Sequence, residues 1–369
     1  MNFITVLIFG TISIIILVRE VLYQNSVSMK SAHLMKKKCD ENNFIIFFLL
    51  VIVAALRNPN TGADTAGYVW LYKQVLNGQN TIMDYWELFI HSIQNNTFKD
   101  SLFWDLFNSV LSLIVKNEQV WLALISLLFL FTAYKIIKKY SKDAVISWTY
   151  ILCVFIYAFI MQGLRQSMAM VLILISITYV FDRKPIGFCA CIAAAYLFHN
   201  SSIVFLVIYP LRKLRVSKFY FVVIGGVAAI FTLMPSLGVL ILTKLVTASR
   251  FEEYITRSGL YTSSGFIILL LIFIFCYYIY YSCNKDDEHI NILFTISMVG
   301  LVTQAAASSV AEMFRISYYF NMFNMLLVPN CIYLIQKGEI RRQYAFFVIL
   351  AFLGYFWYSG AYNYWFFWQ

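Results

Sequence analysis

The residues able to do chemistry sit in short polar islands between long apolar runs. The first island is Leu56-Arg57-Asn58-Pro59-Asn60-Thr61-Gly62-Ala63-Asp64-Thr65-Ala66-Gly67-Tyr68, which follows an unbroken apolar stretch. The second is Gln162-Gly163-Leu164-Arg165-Gln166, the third His199-Asn200-Ser201-Ser202, and the fourth surrounds Arg315, with Glu312 at i−3 and Tyr319 at i+4. On a helix those three share a face. Arginine's rigid fork of donors suits bidentate phosphate binding and stays charged in poor solvent. A carboxylate such as Asp64 can take a proton from a sugar hydroxyl. The neutral imidazole of His199 can move a proton near pH 7, and polar groups at membrane depth are expensive without a role.

Each of these residues also has a plainer reading. Arginines at span ends can be snorkelling anchors. Asp64 can cap the segment that begins near Thr65 through an Asx-turn. Tyr68 can stack a sugar or simply anchor at the interface. His199 can be a hydrogen-bonded residue at a helix break. Glu252 and Glu253, between Arg250 and Arg257, suit a solvated loop, and His33, His91 and His289 sit in polar loops without an assigned role.

Composition sets the solvent in which these islands work. The chain has 369 residues, 61% hydrophobic and 12% charged, with mean hydropathy +0.74. A soluble domain carries about 45–50% apolar and about 25% charged residues. The expected fold is all-α: a polytopic integral membrane protein forming one membrane domain over 1–369, with about ten spans at roughly 20 residues each. The N-terminal run lacks a basic leader and a small-residue cleavage site, so it reads as a first span. The net charge of +10 reflects cations bordering spans, not nucleic-acid binding. The seven cysteines are scattered; Cys189 and Cys191 point to different helix faces, and no metal or redox motif emerges.

Apolar runs are expected at roughly 2–22, 42–56, 118–138, 144–161, 165–181, 219–242, 264–283, 290–308, 314–336 and 344–360. Lys30 and Lys36–Lys38 mark the first loop as cytoplasmic, which puts the N-terminus outside. Residues 57–117 then form a long external loop, with an amphipathic helix over Ser101–Val115 lying in the interface. A second external loop covers 243–263, a short one 309–313, and the C-terminal Tyr362–Trp368 suits an outer aromatic belt. Residues 186–211 carry basic clusters at both ends yet number too few for two spans, which need about 40 residues. The first limb reaches roughly 20 Å into a hydrocarbon core of about 30 Å. A broken re-entrant pair with His199 at its tip is expected, and such backbone must be enclosed by protein or a wet cavity. With this topology only Arg57, Lys73, Lys99, Lys116, Arg165, Lys244, Arg250, Arg257 and Arg315 of the 28 Lys and Arg are external. A polyprenyl-diphosphate lipid would place its phosphates at the depth of Arg57, Arg165 and Arg315.

Arg-x(4)-Gly-x-Asp-x(3)-Tyr (Arg57, Gly62, Asp64, Tyr68), Gly-Leu-Arg-Gln-Ser-Met-Ala at 163–169, His-Asn-Ser-Ser at 199–202 and Phe-Arg-Ile-Ser-Tyr-Tyr-Phe at 314–320 together resemble the EpsG family. Its members are similar to Wzy-type polymerases of bacterial capsule, exopolysaccharide and O-antigen pathways. The resemblance covers roughly 44–320. Such families often place a small residue or proline after the histidine and then Ser or Thr; here Asn200-Ser201 follows, and His199 itself remains. The resemblance implies a polysaccharide polymerase of the bacterial plasma membrane. It would move a growing glycan from undecaprenyl diphosphate onto a lipid-linked repeat unit at the outer face. The long external loop also resembles the GT-C glycosyltransferase plan, by analogy alone.

On this reading the transfer is inverting or retaining. Arg165 and Arg315, with Arg57, grip the diphosphate as leaving group. His199 or Asp64 takes the acceptor proton, and Tyr68, Gln166 and Tyr319 shape the sugar site. No cofactor is required, and Asp64 without a second carboxylate is a poor metal site. The implied partners are the lipid-linked oligosaccharide, membrane lipid, and a chain-length regulator and flippase of the same pathway. Three rival readings are a flippase for the same lipid, an O-antigen-type ligase and a non-catalytic organising subunit. A flippase needs charges along a mid-membrane path, whereas these cluster at one face.

Overall fold

The computed structural model describes every residue except 1–2, 29–31, 80, 96–101, 235, 237–239, 241–263, 284–285, 311–312, 361–363 and 369. The second external loop 243–263 with Arg250, Glu252, Glu253 and Arg257, together with Glu312 and Tyr362–Asn363, therefore lies outside the described residues. The described residues are helical apart from turns and one isolated β-bridge. They form two compact units, residues 1–203 with 337–369, and residues 204–336.

The first unit holds α1 (Phe3–Ser28), α2 (Ala32–Ala55), α3 (Thr65–Leu76), α4 (Ile82–Gln94), α5 (Leu102–Leu111), α6 (Glu118–Tyr140), α7 (Ala144–Cys153), α8 (Ile156–Gln162), α9 (Leu164–Phe181), α10 (Pro185–Phe198) and, near the C-terminus, α17 (Gly338–Ser359). Several starts are written locally. Asn117 caps α6 by accepting from Gln119 and Val120 N–H, and Asp143 caps α7 by accepting from Val145 and Ile146 N–H. Pro185 opens α10, where a missing N–H is harmless. Polar side chains then tie α2 to its neighbours. Trp148 Nε1 donates to Asn43 Oδ1 (2.8 Å) and Tyr157 hydroxyl to Leu50 O (2.7 Å). These bonds satisfy polar atoms that neither lipid nor an apolar core could.

Two expectations change here. Residues 144–161 are not one straight span: α7 and α8 bend by 57° at Val154-Phe155. Phe155 takes a left-handed φ of 60°, and its ring packs edge-on against Tyr355. The segment 57–117 carries three helices, α3 to α5. Both α4 and α5 are amphipathic; α5 covers the expected Ser101–Val115 helix from Leu102 to Leu111.

The second unit comprises the rest of a 3-10 stretch from Asn200 to Val207, then α11 (Ile208–Leu211), α12 (Phe219–Leu233), α13 (Ser264–Cys283), α14 (Glu288–Ala306), α15 (Met313–Asn321) and α16 (Asn324–Tyr333). The expected run 314–336 is thus two helices. Tyr220 hydroxyl and Thr295 Oγ1 bond at 2.8 Å between α12 and α14, and Ser309 Oγ donates to Phe231 O at 3.0 Å.

Among the described residues five helices are long and apolar enough to cross a bilayer, or six if the bent α7–α8 pair is one span. Leu7, Ile14, Val18 and Val21 form an exposed apolar row along α1 at helical spacing. Water would not tolerate rows of this kind, but lipid does. The chain is an integral membrane protein.

Gly62 has φ +111°, and an added Cβ would lie 2.7 Å from Gln162 Cβ and 3.4 Å from Gln162 Cα. Gly78 also has positive φ, +72°, but open space around it. Gly62→Ala is expected to lose roughly 2–5 kcal/mol from strain plus overlap, and Gly78→Ala only about 1–2 kcal/mol. Thermal unfolding of the two purified variants in one detergent checks this: Gly62→Ala must melt clearly lower.

Candidate active site

The first polar island is built on a buried guanidinium. Arg57 has no exposed surface. Its Nη1 donates to Ala54 O (2.5 Å) and Ser126 Oγ (2.7 Å), linking the end of α2 to α6. Its backbone is held as well: Gln119 Nε2 donates to Arg57 O (2.9 Å), and Arg57 pairs with Phe366 in the isolated bridge. Asn58 N–H donates to Trp365 O (2.8 Å) and Phe367 N–H to Leu56 O (2.9 Å), so the C-terminal tail clamps the same turn. Among the described residues no carboxylate pairs with Arg57, and its Nε and Nη2 have no hydrogen-bond partner. Burial draws the guanidinium down to about 10, so it stays cationic at neutral pH. The surface arginine expected for direct diphosphate contact is instead enclosed in protein, because the tail and α6 cover it.

From Arg57 the turn runs to the end of α8. Thr65 Oγ1 donates to Met161 O (2.9 Å), and Ala63 N–H donates to Gln162 Oε1 (3.2 Å). Asp64 occupies the N-cap position of α3, yet its side chain makes no capping bond and is exposed. The Asx-cap alternative therefore does not describe it. Just beyond Gln162 the chain enters α9, with Arg165 in the first turn, half-buried, and Gln166 3% exposed. Arg165 Nε is enclosed and has no hydrogen-bond partner. A cation at the positive end of a helix is electrostatically misplaced until an anion joins it. The structure thus brings the Asp64 turn against the segment that carries Arg165.

His199 and Tyr68 share α5 as a platform. Helix α10 stops at Phe198, His199 is extended (φ −155°, ψ 112°), and the 3-10 stretch begins at Asn200. The break is where the sequence places it. His199 is half-buried, with Nδ1 2.7 Å from Ser201 Oγ. The ring of its neighbour Phe198 meets Phe103 and Phe107 edge-on, with centroids at 4.8 and 5.5 Å. Tyr68, also half-buried, meets Trp104 of the same helix at 5.8 Å. Helix α5 is pinned in turn: Trp121 Nε1 donates to Asn108 Oδ1 (2.9 Å), and Trp121 stacks on Tyr72 at 4.5 Å.

The second unit holds the other two candidates. Arg315 lies in the first turn of α15, half-buried, 5.8 Å over the Phe314 ring. Tyr319 is completely enclosed, so its ring belongs to the core and presents no face for a sugar. Ser317 Oγ sits 2.5 Å from Gln304 Oε1, and Asn321 Nδ2 donates to Gly300 O at 3.4 Å. Gln304 and Asn321 were not singled out by the sequence, and Gln162 and Thr65 stood there only as members of their islands, without a role. A Cβ at Gly300 would meet the Asn321 side chain, so that glycine makes room for the contact.

The sequence model of the EpsG family matches residues 43–368, nearly the whole chain. The chain belongs to the EpsG family. That family is associated with polysaccharide polymerases. No curated protein and no solved structure gives a match. For this EpsG-family protein the match spans every island described above, from Arg57 to the tail residues that clamp it.

Since Arg57 is a buried cation with no carboxylate partner among the described residues, two substitutions should separate. Arg57→Met keeps volume and relieves desolvation, which offsets two lost hydrogen bonds, so stability should change by no more than about 1–2 kcal/mol. Arg57→Ala leaves a cavity and should lose about 2–5 kcal/mol. Unfolding midpoints of the purified variants check the order.

Proposed function

We propose that this protein is a polymerase-type glycosyltransferase. It transfers a growing glycan from undecaprenyl diphosphate to a lipid-linked repeat unit at the outer face of the plasma membrane, with the N-terminus outside. About ten spans are part of this proposal: α2, α12, α15 with α16, and α17, shorter or more charged than the six apolar candidates, also cross, and α10 with the 3-10 stretch forms the re-entrant pair. Family membership carries the polymerase role. For the chemistry, the supporting observation is Arg165, whose enclosed Nε lacks a partner at the positive end of α9 beside the Asp64 turn.

In the proposed step the acceptor hydroxyl attacks the anomeric carbon, and the bond from that carbon to the diphosphate oxygen breaks. The hydroxyl proton goes to Nε2 of His199. That requires Nδ1–H to donate to Ser201 Oγ, which the 2.7 Å contact allows. Negative charge accumulates on the departing diphosphate, where Arg165 stabilises it; Arg315 is the second arginine that the sequence reading assigns to the diphosphate. Asp64 accepts hydrogen bonds from the acceptor sugar, and Tyr68 offers a ring for its apolar face. Arg57 acts through position and field: it fixes the turn and keeps a positive charge beneath it. Gln166 supports the site from within the first unit.

The test is surface glycan on a gel from cells carrying Arg165→Ala or Arg315→Ala, with membrane levels confirmed by blot. Removing one stabilising cation should slow transfer about 100-fold or more. The expected result is single repeat units in place of a polymer ladder. Unchanged ladders from both variants would return the arginines to interfacial anchors. Loss of even the single unit from the outer face would favour a flippase.

A further inference from the structure

A second basic site lies in the 204–336 unit, at the other end of α14 from Arg315. A cavity of about 410 Å³ opens there between the 215–218 segment, the C-terminal turns of α13 and the start of α14. Helix α14 has 19 residues, so roughly 28 Å separates this cavity from the end that leads to Arg315. None of its lining residues belongs to the proposed transfer site.

The cavity is built rather than incidental. Its wall is Asn291, 5% exposed, whose Oδ1 accepts Val216 N–H (3.0 Å) and lies 3.2 Å from the Tyr280 hydroxyl. Asn291 Nδ2 donates to Asp286 Oδ1 (2.7 Å), and Asp286 Oδ2 meets Arg215 Nη1 at 3.2 Å. Both oxygens of Asp286 are thereby engaged in holding the wall and the arginine. The Arg215 side chain is otherwise 81% exposed, and Lys218 has no acidic partner among the described residues. Ser217 and the phenols of Tyr277 and Tyr281 add further donors to the lining. Arg215 and Lys218 against one aspartate leave a net positive charge. A fork of guanidinium N–H groups beside an ammonium and hydroxyls is a phosphate-binding set.

The surroundings select the source of that phosphate. Helix α13 is among the most apolar segments, with mean hydropathy 2.3. Its last turns carry Tyr277 stacked on Tyr281 at 6.1 Å, and exposed Tyr278. Tyrosines at the end of an apolar span sit at headgroup level. The adjoining Arg212, Lys213, Arg215 and Lys218 form a basic cluster of the kind that faces anionic lipid on the cytoplasmic side. We propose that this cavity binds the phosphate of an anionic phospholipid headgroup.

The test follows the unfolding temperature of the purified full-length protein in neutral detergent. It is titrated separately with dioctanoyl phosphatidylglycerol, dioctanoyl phosphatidylcholine and glycerol 3-phosphate. Phosphatidylglycerol should raise the temperature saturably and the other two should not. The Arg215→Gln/Lys218→Gln variant should move the midpoint of that titration by roughly tenfold or more. Lys218→Gln alone, at an exposed position, should move it several-fold, and it decides the matter if the double variant folds poorly. An equal response to phosphatidylcholine, or an unchanged midpoint in the folded variants, overturns the proposal. A matching response to glycerol 3-phosphate overturns the lipid as the source.

Discussion

A cation enclosed in protein, with no carboxylate partner among the described residues, is the constraint around which the first unit is arranged. Moving Arg57 from its ordinary value of 12.5 to about 10 corresponds to about 3 kcal/mol against the charged form. Its neutral acceptors are Ala54 O and Ser126 Oγ, and Tyr157 and Tyr364 lie near enough to offset part of the burial. The structure nevertheless commits much of the chain to it. Helix α2 delivers the residue, α6 supplies Ser126 and Gln119, and the C-terminal tail closes over the turn through Trp365, Phe366 and Phe367. Because this turn is fixed, Gly62 and Ala63 can seat against Gln162, and that contact aligns Asp64 with the start of α9.

A similar charge imbalance recurs at Arg165. Arg165 stands at the positive end of a helix with an enclosed, unpartnered Nε. Arg315 also lies in a first turn. Placing cations where a helix already presents positive potential makes sense if a ligand brings the negative charge. In the proposed function that ligand is the diphosphate lipid. Burial separates the remaining candidates. Asp64, Tyr68, Arg165, His199 and Arg315 retain exposed surface, whereas Arg57, Gln166 and Tyr319 are enclosed; in the proposed function the first group touches the substrate, and Arg57 and Gln166 position it.

Much of the helical plan was legible because lipid imposes a simple code: apolar runs of span length end at basic or turn-forming residues. The break at His199 was legible for the same reason, since 26 apolar residues between two basic clusters cannot cross twice. The bend at Phe155 was not, because neither glycine nor proline marks it and the strained backbone is held by tertiary packing. Of the extra helices in 57–117, α3 has only a weak apolar face, whereas α4 is amphipathic and its face was legible in the sequence. Arg57 and Tyr319 read as surface residues because they stand near span ends, but a tail more than 300 residues away covers Arg57, and packing in the second unit covers Tyr319. The partner that seats the Asp64 turn, Gln162, carries no sequence signal beyond its nearness to Arg165.

The most direct measurement of the central claim is binding of a short-chain polyprenyl diphosphate, compared with the matching monophosphate, to the purified full-length protein. The account predicts tighter binding of the diphosphate, weakened in Arg165→Gln by roughly tenfold or more. It also predicts weaker binding in the folded Arg57→Met variant, whose lost charge lies beneath the site and never touches the ligand. Equal affinity for the two lipids, or diphosphate binding indifferent to both substitutions, would contradict it.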